Sequence, residues 1–135
     1  MVDSPEKLEL EPDPSELSAL RAFVSEQALQ RGLSEAERFH AALIATEAVT
    51  NAIRHGGDGG APPGPIEVTC SGEHGDLVIE VRNSGRYRPP SYGIDGNGGR
   101  GLILIASLTK YFDLQAGDDG TSLRMSLAAN GDNAS

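Results

Sequence analysis

Residues 47–57 read EAVTNAIRHGG and set three polar side chains, Glu47, Asn51 and His55, at steps of four. On an α-helix, residues four apart lie one above the other, so these three form a polar stripe. The residues interleaved with the stripe are mostly apolar and predict a neighbouring face that packs on a sheet, namely Ala45, Ala48, Val49, Ala52 and Ile53. The stripe is therefore predicted at the edge of the buried face, where its side chains point into a cleft.

A carboxylate one helical turn from a carboxamide suits phosphoryl transfer. The Asn51 oxygen can ligate Mg²⁺, and Glu47 can accept the proton of an attacking hydroxyl. The same spacing also arises on the exposed face of any amphipathic helix, and His55 alone fits a helix-end cap. Taken alone, the triplet is compatible with a purely structural role.

The segments before residue 56 predict one strand and two helices. KLELE (7–11) alternates charged and apolar residues as a short strand does, and prolines close it. A first helix is predicted from Glu16 to Gly32, with Ser15 as its cap. A second helix is predicted from Glu35 to about His55, because Ser34 and Glu37 form a capping box.

The segments after residue 65 predict two hairpins and a third helix. Residues 66–70 and 77–82 alternate apolar and polar side chains, as do 111–115 and 122–127. Gly101 opens a helical run between the two hairpins, after an irregular loop over 83–99. The order β-α-α-β-β-loop-α-β-β predicts an α+β fold, a two-layer sandwich of a mixed or antiparallel sheet with helices on one face. Residues 1–128 are expected to form a single domain, and residues 129–135 a disordered tail.

Charge and composition exclude several classes of protein. Eleven Lys and Arg against twenty Asp and Glu leave a net charge of -9, which opposes binding to nucleic acid or to an anionic membrane. The single cysteine, Cys70, excludes an internal disulfide or a cysteine zinc site. With no signal-peptide pattern and no long apolar run, the expected location is the cytoplasm.

Two glycine clusters require separate explanations. Residues 56–64 (GGDGGAPPG) are most simply a connector. Residues 93–101 (GIDGNGGRG) satisfy G-x-G-x-x-G, but they follow prolines rather than a strand and so do not fit a dinucleotide fingerprint. Four arginines and one acid between Arg82 and Arg100 make this region basic. Gly99, Arg100 and Gly101 lead into a helix whose free N–H groups can hold an anion, which predicts a phosphate-binding segment.

Four segments together resemble the GHKL, or Bergerat, family of ATP-binding domains: EAVTNAIRHGG (47–57), VRNSG (81–85), GGRGLILI (98–105) and GTSLRMSL (120–127). The resemblance covers nearly the whole chain. Within the family, the short length is most similar to the anti-sigma-factor serine/threonine kinases of bacterial partner switching.

The resemblance implies a role for each matching residue. It makes Glu47 the general base and Asn51 the Mg²⁺ ligand, with His55 continuing that stripe beside the nucleotide. Asn83 and Gly85 would lie beside adenine, and Thr121 near the nucleotide on the last strand. The implied phosphate contacts are Gly99, Arg100, Gly101 and Leu102.

The resemblance also implies a function. The family's reaction is ATP-dependent phosphorylation of a serine on an anti-anti-sigma (STAS-domain) protein, alternating with capture of a sigma factor, usually by a kinase homodimer. Two alternatives share the fold: an adapter that regulates by protein binding with weak or no catalysis, and a detached histidine-kinase catalytic domain.

This sequence departs from the family pattern at three positions. Asn83 stands where the family has an aspartate that accepts from the adenine amino group, and Tyr87 stands where it has a second glycine. Asn97 occupies a position where many members carry an arginine that contacts the transferring phosphate. A neutral amide forms a weaker hydrogen bond to adenine than a carboxylate does, so Asn83 and Tyr87 motivate the adapter hypothesis.

Overall fold

The computed structural model describes residues 4–55, 64–83, 97–117 and 120–128, and at His55, 97–102 and 116–117 it describes the backbone alone. Within these ranges the elements follow one another in the predicted order. They are β1 (Glu6–Leu10), a 3-10 turn (Pro14–Glu16), α1 (Leu17–Gln30), α2 (Glu35–His55), β2 (Ile66–Glu73), β3 (Asp76–Asn83), α3 (Asn97–Leu108), β4 (Tyr111–Gly117) and β5 (Gly120–Leu127).

The five strands form one antiparallel sheet with the order β1-β2-β3-β5-β4. Both predicted hairpins are present, β2 with β3 and β4 with β5. After α3, the chain enters the sheet at the far edge as β4 and returns as β5 beside β3. The register sets Val81 opposite Leu123 and Asn83 opposite Thr121, so these two pairs share the end of the sheet where β3 finishes.

One face of the sheet forms the core with the helices. Alternate residues of the strands are buried, for example Val68, Ile79 and Met125, each 0% exposed. They join buried residues of all three helices in a single cluster, whose helical members are Leu20, Val24, Ala28, Ala41, Ile44, Ala45, Ala48, Val49 and Ile105. The opposite face carries charged pairs such as Arg124 with Glu73, 2.8 Å apart. This arrangement confirms the predicted α+β fold with helices on one face.

The start of the first helix differs from the prediction. Ser15 does not cap it; instead the Ser15 N–H donates to Asp13 Oδ1 at 3.0 Å, and Asp13 caps a 3-10 turn that precedes α1. Pro14 favours this turn because its fixed φ suits a first helical position and it lacks the N–H that would need a partner. The α-helix therefore begins at Leu17, one residue after the predicted start.

The turn between α1 and α2 forms as its residues predict. Gly32 adopts a φ of +83°, which glycine adopts readily, and the Leu33 N–H donates to the Ala28 carbonyl at 3.1 Å. Two residues further on, the Ser34 N–H donates to Glu37 Oε1 at 2.7 Å, and the Glu37 N–H donates to Ser34 Oγ at 3.1 Å. The capping box is confirmed, and it sets the first residue of α2.

Regular structure extends into both ends of the irregular loop that was predicted over 83–99. β3 continues through Asn83, and α3 begins at Asn97, four residues before the predicted start. Gly99 therefore lies in the first turn of α3, and Gly101 in the second. The N–H groups that a helix start leaves free belong to the residues just before Arg100 rather than to Gly101. Sequence reasoning placed the helix late because glycine has low helix propensity.

Several predictions fall outside the described residues: the connector over 56–63, the basic segment over 84–96 and the tail over 129–135. In the part of the chain that the structure describes, no helix combines the length and the apolar character needed to cross a bilayer.

The capping box gives a first prediction. Ser34→Ala removes the hydroxyl that accepts from the Glu37 N–H, and we expect the free energy of unfolding to fall by about 1 kcal/mol. Urea denaturation followed by circular dichroism measures this change. Ser18→Ala, at an exposed position on α1, is the control and is expected to leave stability within about 0.5 kcal/mol. Equal stability of the two variants would contradict the capping role.

The buried thiol gives a second prediction. Cys70 is 0% exposed on the core face of β2, and burial raises the pKa of its thiol from 9.0 to about 12, although the charge of Arg31 partly opposes the shift. Above pH 9 the unfolded chain loses the thiol proton while the folded chain keeps it. The free energy of unfolding should therefore fall as pH rises above 9, by up to about 1.4 kcal/mol per pH unit from this group.

Cys70→Ala isolates that contribution. Between pH 8 and pH 10.5, denaturation of the wild type should show a steeper loss of stability than denaturation of the variant. Parallel pH profiles for the two proteins would show that Cys70 is not protected from ionisation.

Candidate functional site

A pocket opens between α2 and the end of the sheet where β3 finishes. It has about 320 Å³ of space, counted out to its open mouth. Four elements line it through Ala48, Asn51, Ala52, Val81, Asn83, Leu114, Thr121 and Leu123.

On the helix side, α2 presents small side chains to the pocket. Ala48, Asn51 and Ala52 are spaced three and four residues apart, which puts them on one face of the helix. The side chains at 48 and 52 are only methyl groups, so they leave space between α2 and the sheet. On the sheet side, Val81 and Leu123 are directly opposite each other and form the floor.

Its walls are apolar and its polar groups are neutral. Ala48, Ala52, Val81, Leu114 and Leu123 supply the apolar surface. The polar groups are the half-buried carboxamides of Asn51 and Asn83 and the hydroxyl of Thr121, which is 8% exposed. No described lining residue carries a charge. Such a surface suits a flat, neutral heterocycle held by a few hydrogen bonds.

The two carboxamides have hydrogen-bonding capacity to spare. Among the described residues, none forms a hydrogen bond with the side chain of Asn51 or of Asn83. A half-buried amide normally finds a partner, so these groups are suited to meet a ligand or water in the pocket.

Glu47 lies one helical turn before Asn51 on the same stripe of α2 and is half-buried. It is not among the residues that line the pocket. No basic side chain in the described ranges forms an ion pair with it. Glu47 therefore lies one helical turn from a lining residue and has no ion-pair partner among the described residues.

The structure brings together part of the predicted site. Asn51, Asn83 and Thr121, from three different elements, meet in one pocket, and Glu47 adjoins it. His55 ends α2, and Gly99, Arg100, Gly101 and Leu102 lie in the first two turns of α3, but their side chains are not described. Gly85 lies outside the described residues.

The apolar walls were missed by sequence reasoning. Ala48 and Ala52 were assigned to packing on the sheet, and Val81, Leu114 and Leu123 were placed in strands without a role in the site. The sequence did indicate these walls. Ala48 and Ala52 are close to Asn51 along the helix, and Val81 is two residues from Asn83, so both are on the same face of the strand.

Comparison with known families shows the family of the chain. Residues 10–127 match the histidine kinase-like ATPase domain, which is most of the chain. The chain belongs to this family, and the GHKL resemblance is confirmed. No curated protein matches the chain by sequence.

Solved structures share the fold at low sequence identity. The RsbU and RsbW domains of Rv1364c from Mycobacterium tuberculosis match with a TM-score of 0.71 and 18% identity, over 93% of this chain and 32% of that one. The blue-light activated histidine kinase EL346 of Erythrobacter litoralis matches with a TM-score of 0.64 and 18% identity, over 86% and 43%. Its histidine kinase domain matches with a TM-score of 0.59 and 16% identity, over 87% and 61%. The chain spans less than two thirds of each of these proteins.

Filling the pocket gives a third prediction. Ala52→Leu puts a branched side chain into the space between α2 and the sheet, so we expect ATP affinity to fall at least about tenfold. Isothermal titration calorimetry measures the affinity, and a thermal melt checks folding. Ala36→Leu, at an exposed position of the same helix, should bind ATP as the wild type does. Wild-type affinity in Ala52→Leu would place the ligand elsewhere.

Proposed function

We propose that this chain is an ATP- and Mg²⁺-dependent serine/threonine protein kinase of a bacterial partner-switching system. It phosphorylates an anti-anti-sigma (STAS-domain) protein in the cytoplasm and, in the alternate state, sequesters a sigma factor. The adenine ring enters the pocket beneath α2, and the phosphates extend toward Glu47 and the start of α3.

One observation carries the proposal. Asn51, Asn83 and Thr121 converge on an apolar pocket, while Glu47 lies one turn from Asn51 on the same helix. A hydrogen-bonding slot for a heterocycle therefore adjoins a half-buried carboxylate without an ion-pair partner in the described ranges. That combination supports phosphoryl transfer from a nucleotide, because it offers a site for the base and a proton acceptor one helical turn from that site.

The residues present fit a magnesium ion that arrives with the nucleotide. The described residues hold no group of three or more His, Cys, Asp or Glu able to bind a metal alone. Mg²⁺ commonly takes one or two protein oxygens and completes its shell with phosphates and water. The Asn51 carboxamide supplies such an oxygen, and the bound ion would neutralise charge on the phosphates.

Glu47 is the proposed general base. Its carboxylate accepts the proton of the attacking serine hydroxyl as that oxygen bonds to the terminal phosphorus of ATP. The bond from this phosphorus to the bridging oxygen breaks, and ADP leaves with the electron pair. Asn51, one turn away, keeps the phosphate end of the nucleotide in place. Because both residues are on α2, the helix places them one turn apart on the same side.

The proposed partners follow from resemblance and charge. The solved structure of the RsbU and RsbW domains of Rv1364c shares this fold over 93% of this chain, and within the GHKL family the sequence resembles the anti-sigma-factor kinases. Six of the twenty acids lie within residues 1–16. Among the described residues of that range, Glu6, Glu9, Glu11 and Asp13 are exposed and supply an acidic surface for a basic protein partner. A homodimer is part of the proposal.

A second candidate is an adapter of the same fold that binds partners without catalysis. It is favoured by the neutral Asn83, because a carboxamide holds an adenine amino group less strongly than a carboxylate does. In this alternative the pocket binds nucleotide weakly and Glu47 has no chemical role.

A fourth prediction tests the assigned base. Purified protein, labelled ATP and Mg²⁺ are incubated with a panel of STAS-domain proteins from the same genome. Glu47→Gln should lower phosphate transfer at least about a hundredfold, because it removes the proton acceptor. ATP affinity should remain within about threefold, because the variant keeps the shape of the side chain and leaves the pocket intact.

Glu35→Gln, at an exposed position in the first turn of the same helix, is the matched control and should transfer at the wild-type rate. Transfer that is unchanged in Glu47→Gln would eliminate Glu47 as the base. ATP binding by the wild type without transfer to any STAS protein would favour the adapter.

A further inference from the structure

We propose that the pocket accepts purine nucleotides with either a 6-amino or a 6-oxo group, because Asn83, facing Thr121, contacts that edge of the base with a carboxamide. This inference rests on the proposed function, since it requires a nucleotide base in this pocket. It makes Asn83 the residue that sets base selectivity.

The position of Asn83 follows from the sheet. It is the last residue of β3 and lies directly opposite Thr121. It is on the same face of the strand as the core residues Ile79 and Val81. Its side chain is half-buried in the pocket lining. A ring that enters between α2 and the sheet floor therefore meets Asn83 and Thr121 along its polar edge.

A carboxamide and a carboxylate recognise different groups. A carboxylate only accepts hydrogen bonds, whereas a carboxamide has both an accepting oxygen and a donating NH₂. Adenine presents a donating amino group at C6 beside an accepting N1. Hypoxanthine presents an accepting oxygen at C6 beside a donating N1–H. Asn83 can pair with either base when its amide is rotated by half a turn.

The described surroundings leave that rotation open. No described residue forms a hydrogen bond with the Asn83 side chain, so its amide has no protein partner there that holds one orientation. The terminal torsion of asparagine is broad, and rotation costs little without such a partner.

The neutral lining of the pocket also permits both a 6-amino and a 6-oxo purine. No charged side chain is present among the described lining residues. A carboxylate at this position would repel the oxygen of a 6-oxo purine and leave two acceptors facing each other. A site with the wrong hydrogen-bonding group rejects a base strongly. Asn83 does not reject a 6-oxo purine in this way, because its NH₂ group can donate to the oxygen.

Calorimetry with ATP, ITP and CTP, each with Mg²⁺, tests the inference as a fifth prediction. ATP and ITP differ only in the C6 group and the N1 proton. The wild type should bind them with dissociation constants within about tenfold of each other, and CTP at least about tenfold more weakly. The pyrimidine arm separates recognition of the base from binding through phosphates alone.

Variants at position 83 complete the test. Asn83→Asp should shift the preference at least about tenfold toward ATP, because the carboxylate accepts from the amino group and repels the oxo group. Asn83→Ala should weaken ATP and ITP by a similar factor. Ser122→Asp adds the same charge next to Thr121 in sequence but on the opposite face of the sheet, and should leave the ATP to ITP ratio unchanged. Thermal melts establish that each variant folds.

The outcomes separate this inference from the proposed function. Tight ATP binding with ITP at least about a hundredfold weaker would overturn the inference and leave the kinase proposal standing. An unchanged ratio in Asn83→Asp would also overturn it. Absence of binding by all three nucleotides would remove the proposed function and this inference with it.

Discussion

The packing of α2 on the sheet is the contact on which the other features depend. This helix touches α1, α3, β3 and β5, and its buried face includes Ala41, Ala45, Ala48 and Val49. Small side chains let a helix approach a sheet closely, and close packing fixes its rotation about its own axis. The same rotation puts Asn51 on the pocket wall and Glu47 one turn away beside it.

The chemistry of the site depends on the contrast between its interior and the rest of the chain. The protein carries a net charge of -9, yet the described pocket lining carries none. A neutral slot binds an uncharged ring without the desolvation cost of a buried ion. Charge is left to Glu47 at the edge of the site, where a proton acceptor is useful.

The sequence predicted helix ends and turns correctly where their hydrogen bonds join residues a few positions apart. The capping box at Ser34 and the glycine turn at Gly32 form as expected because their hydrogen bonds close within five residues. Two local signals misled. Asp13 and Pro14 form a 3-10 turn before α1, which displaces Ser15 from its expected capping role. The glycines at the start of α3 have low helix propensity, so the sequence predicted a later start for this helix. In the structure, α3 packs on α2, and this contact supports the helix.

The residues and their spacing were sufficient to specify the α+β class, the order of the elements and the polar stripe that carries Glu47 and Asn51, but they left open whether the sheet is mixed or antiparallel. These follow from periodicity, which is a property of neighbours along the chain. The pocket required the folded sheet. Asn83 and Thr121 are far apart in sequence and become opposite partners only because β5 returns beside β3 while β4 takes the edge. Strand order is settled by the burial of the whole core, and no local window of sequence carries that information.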